Sequence, residues 1–292
     1  MLMSLASAQQ TAWEVEKSRT TWAFDVRWKD GQGERHRARF ELPAKDVKAD
    51  LDEPLRMKPT DAHKAVAKDI NAWAEDQKGV SIKARGTKKG VKISGSSKQG
   101  RKKLKTAMRE ASEVRDEAFD DWMDDNGFTE LKRGVVPDHA SHASNYADDV
   151  EPIVEALGGP TADPRAFAEL ALSFVQSIPY EKASLKRDRY RRPLSLVGRN
   201  KGDCDSKATL YLALMRGAYP ELPLTVLYIK GHAFVGVGLE PAKGDTTLRQ
   251  DGTVYVLAEP VGPALKPLGE VDGKSRRKAK TGRSESRAVI RG

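Results

Sequence analysis

Cysteine is all but missing: Cys204 is the single one in 292 residues. That excludes an internal disulfide, and with it the small stapled scaffolds that need several. No run of about 18 apolar residues occurs, so nothing is long and apolar enough to cross a membrane as a helix. Aromatics are scarce, at 7% of the chain, and none falls within residues 81–110, although that stretch holds eleven Lys or Arg and one Glu. Without rings to stack on bases, a platform for single-stranded nucleic acid is a poor reading, and no nucleic-acid partner is expected. A solvated charged face is the plainer reading, with contact to an anionic surface or an acidic partner as the alternative. Acid is also sparse in residues 272–292, where eight Lys or Arg face two Asp or Glu. That composition reads as a basic disordered tail.

What is present is enough for one large or two ordinary domains, with 38% hydrophobic and 32% charged residues and a net charge of +9. Residues 1–14 read as a residual signal-like or disordered N-terminus. Ala6-Ser7-Ala8 is a small-x-small cleavage pattern after a short apolar run, so a periplasmic or secreted location is expected, with the cytoplasm as the alternative. Alternation in residues 21–28 and 36–42 around Gly31 and Gly33 predicts a β-hairpin. A helix capped at Thr60 follows, with Ala62, Val66, Ile70 and Trp73 on one face. A second hairpin turns at residues 86–90, and a helix over residues 98–124 stops at Asn126-Gly127. The order ββαββα predicts a small α+β domain over residues 15–130. Residues 131–162 are a connection with one helix, residues 146–157. Its His139-x-x-His142 pair lacks the spacing and partners of a zinc set, so it reads as an exposed polar loop, and no metal or cofactor is expected.

A second domain is expected over residues 163–271. Asp163 caps and Pro164 opens a helix whose apolar stripe ends at Ile178, before Pro179. The long loop that follows leads into Gly202-Asp203-Cys204-Asp205-Ser206-Lys207. Ala208, Tyr211, Leu212 and Met215 keep helical spacing, which sets Cys204 at a helix N-terminus, where the unpaired N–H groups and the macrodipole favour a thiolate. His232 lies 28 residues on and Glu259 another 27, each beside a predicted strand. Thiol, imidazole and carboxylate are the parts of an activated nucleophile, its base and the base's orienting group. Asp203 and Asp205 read as turn and cap residues. Period two puts Gly236 and Gly238 on the face of His232, as if to let the Cys204 helix approach.

Gly202-Asp203-Cys204-Asp205-Ser206-Lys207-Ala208, Gly231-His232-Ala233-Phe234-Val235 and Tyr255-Val256-Leu257-Ala258-Glu259-Pro260 together resemble the core of the transglutaminase-like cysteine-enzyme superfamily. Tyr190-Arg191-Arg192-Pro193-Leu194 is similar to the segment before the cysteine in its bacterial periplasmic proteinases. The likeness spans residues 164–262, with Glu259 where the family has Asp and Tyr255 where Trp is common. It implies an α+β fold: a papain-like core, with a Cys-bearing helix packed on an antiparallel sheet, behind the small N-terminal domain. It also implies a catalytic triad of Cys204, His232 and Glu259, with Tyr190 or Asn200 as the second oxyanion donor beside the Cys204 N–H. The expected activity is cysteine-protease hydrolysis of a peptide or amide bond in a protein or peptide substrate, and the arginines before Cys204 point to an acidic one. Transglutaminase-type acyl transfer and a non-catalytic scaffold using the basic N-terminal domain are the alternatives.

Overall fold

The computed structural model describes residues 9–52, 55, 58–132, 134–181, 190–262, 265–281 and 284–288. In chain order the elements begin β1 (Gln9–Lys17), β2 (Thr21–Lys29), β3 (Arg35–Pro43), α1 (Ala44–Asp52), α2 (Pro59–Glu75), β4 (Val80–Thr87) and β5 (Gly90–Ser97). Next come α3 (Arg101–Asp125), β6 (Phe128–Leu131), β7 (Gly134–Pro137), α4 (His139–Asn145), α5 (Glu151–Ala156), α6 (Pro164–Ser177) and α7 (Pro193–Arg199). The chain ends with α8 (Cys204–Ala218), β8 (Leu224–Ile229), β9 (His232–Val237), β10 (Thr247–Gln250), β11 (Thr253–Ala258), α9 (Gly273–Lys280) and β12 (Glu285–Ala288). The fold is α+β, with every sheet antiparallel.

Two compact units divide the chain, one of residues Met1–Leu55 and His139–Gly292, the other of Arg56–Asp138. This differs from the expected boundary. The first hairpin belongs with the cysteine-bearing unit, because its alternating face is core there: Trp28 of β2 donates from Nε1 to Ser173 Oγ of α6 at 3.0 Å. Residues 9–17, expected to be signal-like or disordered up to 14, pair with β2 as β1. The Ala6-Ser7-Ala8 pattern lies outside the described residues.

In the larger unit a five-stranded sheet runs β10-β11-β9-β8-β12. Against it packs α8, whose residues 206–215 are all buried. A helix apolar all round is a core helix, and α4, α5, α6 and α7 also pack on it. Asp203 caps it, its carboxylate accepting from Ser206 N at 3.0 Å and Ser206 Oγ at 2.6 Å. Residues 272–281 and 284–288, expected within a basic disordered tail, are instead folded. Asp272 caps α9, and β12 adds to β8; Ser275 and Ala279 supply a buried stripe that the lysines and arginines mask.

The smaller unit holds α2, the β4–β5 ribbon, α3 and the β6–β7 pair. Its core joins Val66 and Ile70 of α2, Ile82 of β4, and Ala107 and Ala111 of α3. Pro59 opens α2 with Lys58 at the cap position, in place of the expected Thr60 cap.

Candidate active site

The site grows from one helix start and two strand ends. Cys204 is the first residue of α8 and is partly buried. Helix α8 packs on β9, which brings the sulfur near enough to the Ala233 N–H for that group to favour the thiolate, beside the first residue of β9, His232. The tight Lys230-Gly231 turn between β8 and β9 makes that possible, with Gly231 at φ +74°, a conformation glycine reaches without a Cβ clash. From β11, which pairs with β9, the chain runs directly into Glu259. His232 Nε2 stands 2.6 Å from Glu259 Oε1. The contact has ion-pair distance, and the buried Glu259 carboxylate has no hydrogen-bond partner among the described residues. Gln176 of α6 anchors this strand end, donating to the Glu259 and Lys266 carbonyls at 2.9 Å each.

Burial works against the imidazolium, but the hydrogen-bonding reach and charge of Glu259, helped by Asp272 and Asp205, outweigh it and raise the His232 pKa. Asp272 was not foreseen. It caps α9, accepting from Lys274 N at 2.6 Å and Ser275 N at 3.1 Å, and has a carboxylate oxygen within 4.8 Å of ligand atoms of both His232 and Glu259. Three such groups could suggest a metal. Ligands about 2 Å from one ion lie about 3 Å or more apart, so Glu259 and His232 at 2.6 Å are spent on each other. Asp30, Glu34 and His36 also cluster; there the Asp30 carboxylate closes the β2–β3 turn through Gln32 N, Glu34 N and His36.

The sulfur itself departs from expectation. Burial foremost, then the adjoining Asp205 charge, push the thiol pKa well above its ordinary value, and the Ala233 N–H only partly offsets them. The S–H points to Asp205 Oδ1 at 3.2 Å. The resting group is therefore a neutral thiol, because a desolvated sulfur beside a carboxylate outweighs a helix terminus. Asp205 is more than a cap. His139 Nε2 lies 3.7 Å from it, and His139 Nδ1 meets the Tyr228 hydroxyl at 3.2 Å. Burial alone would raise the Asp205 carboxyl; His139, the thiol and the His232 charge bring it below the usual range. His139 and His142, read as an exposed loop, are buried in α4 beside Tyr190, because α4 packs on α8.

Tyr190 is 3% exposed, with its hydroxyl directed at Thr209 Oγ1, 3.4 Å away. Asn200, at φ +51° after α7, exchanges both ends of its amide with Gln10 at 2.7 and 2.9 Å. The structure thus brings Cys204, His232 and Glu259 to one place and commits Tyr190 and Asn200 to other partners. A tyrosine just past the Ile178-Pro179 helix break, not named among the expected site residues, does reach the site. Tyr180 is 44% exposed and close enough to Cys204, Asp203 and Asp205 for them, after burial, to raise its pKa. Its bridge to Gly202, two residues before the cysteine, fixes it there. The Ile178-Pro179-Tyr180 break was the available signal.

No family model matches this chain, and no curated protein or solved structure matches it either.

Proposed function

We propose that this protein hydrolyses a peptide or amide bond of a protein substrate through a Cys204 thioester, with His232 as base and acid and Glu259 orienting the imidazole. The observation that carries the reading is the packing of α8 on β9, which sets the start of the cysteine helix against the strand whose first residue, His232, stands 2.6 Å from the buried Glu259 carboxylate. The likeness of these segments to transglutaminase-like enzymes supports it, and with it a papain-like core.

Because the thiol rests neutral, its proton leaves as attack begins. His232 accepts it, sulfur adds to the carbonyl carbon, and the oxyanion is met by backbone N–H groups at the start of α8. Collapse breaks the C–N bond, with the His232 proton going to the leaving amine. Water then adds to the thioester, losing a proton to His232, and its collapse releases the acid and restores the thiol. Glu259 holds the ring in place throughout. Exposed Tyr180 offers a flat face to a substrate side chain beside the sulfur.

A peptidyl acyloxymethyl ketone tests this, since it alkylates an acting Cys–His pair far faster than an idle thiol. Labelling should map to Cys204, vanish in Cys204→Ala, and slow by at least about a hundredfold in His232→Ala, the usual worth of a general base. Equal labelling of wild type and His232→Ala would refute the proposal.

A further inference from the structure

The smaller unit carries charge where folding alone would not put it. In the β4–β5 ribbon, Val80, Ile82, Ala84, Val91 and Ile93 face its core. The opposite face is Ser81, Lys83 and Arg85 on β4 with Lys92, Ser94 and Ser96 on β5, all exposed. Register pairs Ser81 with Ser96, Lys83 with Ser94, and Arg85 with Lys92. Two cations directly opposite one another weaken a sheet. Helix α3 repeats the pattern. It opens on Arg101, Lys102 and Lys103 with no acid in its first turn, and it closes on Asp124 and Asp125 with no base in its last. Both ends oppose the helix macrodipole, each such charge at a cost of about 0.3–1 kcal/mol. Nor do neighbours relieve the charge: the unit's ion pairs are Lys58–Asp61, Arg109–Glu113 and Arg115–Asp116, so among the described residues none from Lys83 to Lys105 joins a carboxylate. A groove beside β4, lined by Lys64, Lys68, Asn71 and Arg85 with Glu75 as its one acid, carries a net positive charge onto α2.

We infer that the outer face of the β4–β5 ribbon is a binding site for the phosphate backbone of a nucleic-acid duplex. The missing aromatics argue against unstacked single strands, but a duplex keeps its bases stacked and presents phosphate. Serines between the cations suit that partner, since small hydroxyls donate to phosphate and let the backbone come close. Tight docking on a protein, or insertion into a bilayer, would use apolar anchors, and this face has none, so charge and small hydroxyls are what it offers. Size agrees as well. Eight residues per strand make a ribbon about 25 Å long at about 3.3 Å per residue. That length spans roughly seven base pairs, and a two-stranded ribbon is narrow enough for the major groove.

Fluorescence anisotropy of the full-length protein with a 20-base-pair random-sequence DNA duplex tests the site. Binding should fall in the micromolar range and weaken steeply with salt. Lys83→Glu, Arg85→Glu and Lys92→Glu together should cost at least about tenfold, and should flatten the log–log salt slope by about three. Lys243→Glu, Arg249→Glu and Arg276→Glu change net charge equally in the other unit and should leave affinity within about twofold. Should the ribbon reversal disturb folding, as circular dichroism would show, the same three residues changed to Gln should still flatten the slope. Equal losses from the two triple variants, or no duplex binding, would overturn the site. Phosphatidylserine vesicles or polyglutamate bound through the ribbon as tightly as the duplex would overturn the assigned partner.

Discussion

Asp205 governs how readily Cys204 gives up its proton. Its charge adjoins the sulfur and accepts the S–H, so removing the charge favours the thiolate. Asp205→Asn should raise the rate of iodoacetamide labelling at pH 7.5 by about three- to tenfold; an unchanged rate would show that burial alone sets the thiol. Asp272 acts on the other partner. Asn caps a helix as well as Asp does, so Asp272→Asn keeps α9 while deleting the charge near His232. The imidazolium loses an attracting carboxylate, and its pKa falls. Following the ring protons by NMR in a Cys204→Ala background reads this directly, and an unmoved titration would leave Asp272 a cap only. At this scale the sequence announced Cys204, His232 and Glu259, because a turn, a strand start and a strand end sit beside them. Asp272 and His139 gave no such sign. Each lies on a short helix whose polar sequence hides its docking face, and only the fold brings them near α8 and β9.

Helix α8 buries Lys207 completely, its ammonium donating among the described residues only to the Gln176 carbonyl at 3.3 Å, and burial lowers its pKa to about 7 from 10.5. Between those values the unfolded chain binds more protons than the folded one, so stability rises with pH across that window. Lys207→Met should therefore stabilise the unit at pH 7 by roughly 2–4 kcal/mol, a gain that disappears above about pH 10.5. Urea unfolding at pH 7 and pH 10.5 measures both; a loss of stability at pH 7 would mean that the Gln176 contact outweighs the desolvation. In β9, Gly236 was expected to admit the Cys204 helix. A Cβ there would instead meet Thr225 and Tyr255 at 2.9 Å, side chains of the flanking strands, and one at Gly238 would meet Pro223. Gly236→Val should destabilise by about 1–3 kcal/mol through overpacking, which urea unfolding would register; wild-type stability would show that the strands give way freely. Alternation made β2, β3, β4 and β5 readable, and capping residues marked α6 and α8. Strand β1 went unread because Gln9-Gln10-Thr11 looks like linker until β2 offers it an edge.

At the scale of the chain, two cores should mean two unfolding events. The core of Val66, Ile70 and Ile82 belongs wholly to residues 56–138. Ile70→Ala, at a cost of about 2–5 kcal/mol, should lower one calorimetric transition and spare both the other and the labelling of Cys204. A single transition that moves as a whole would show that the units melt as one. Sequence patterning placed helices and strands in this region but not the boundary, since both units are α+β and the change at residue 55 carries no shift in composition.

Strand β12 has one more effect. It lies along β8, pairing Glu285 with Tyr228 through to Ala288 with Thr225, and β8 is Leu-Thr-Val-Leu-Tyr-Ile, buried at all six positions. A chain ending after α9 would leave that hydrophobic rim with unpaired amides and carbonyls, a ready template for sticking to another copy of itself. The last short strand thus serves as a guard rail, keeping the molecule from building fibres out of the sheet that carries its histidine.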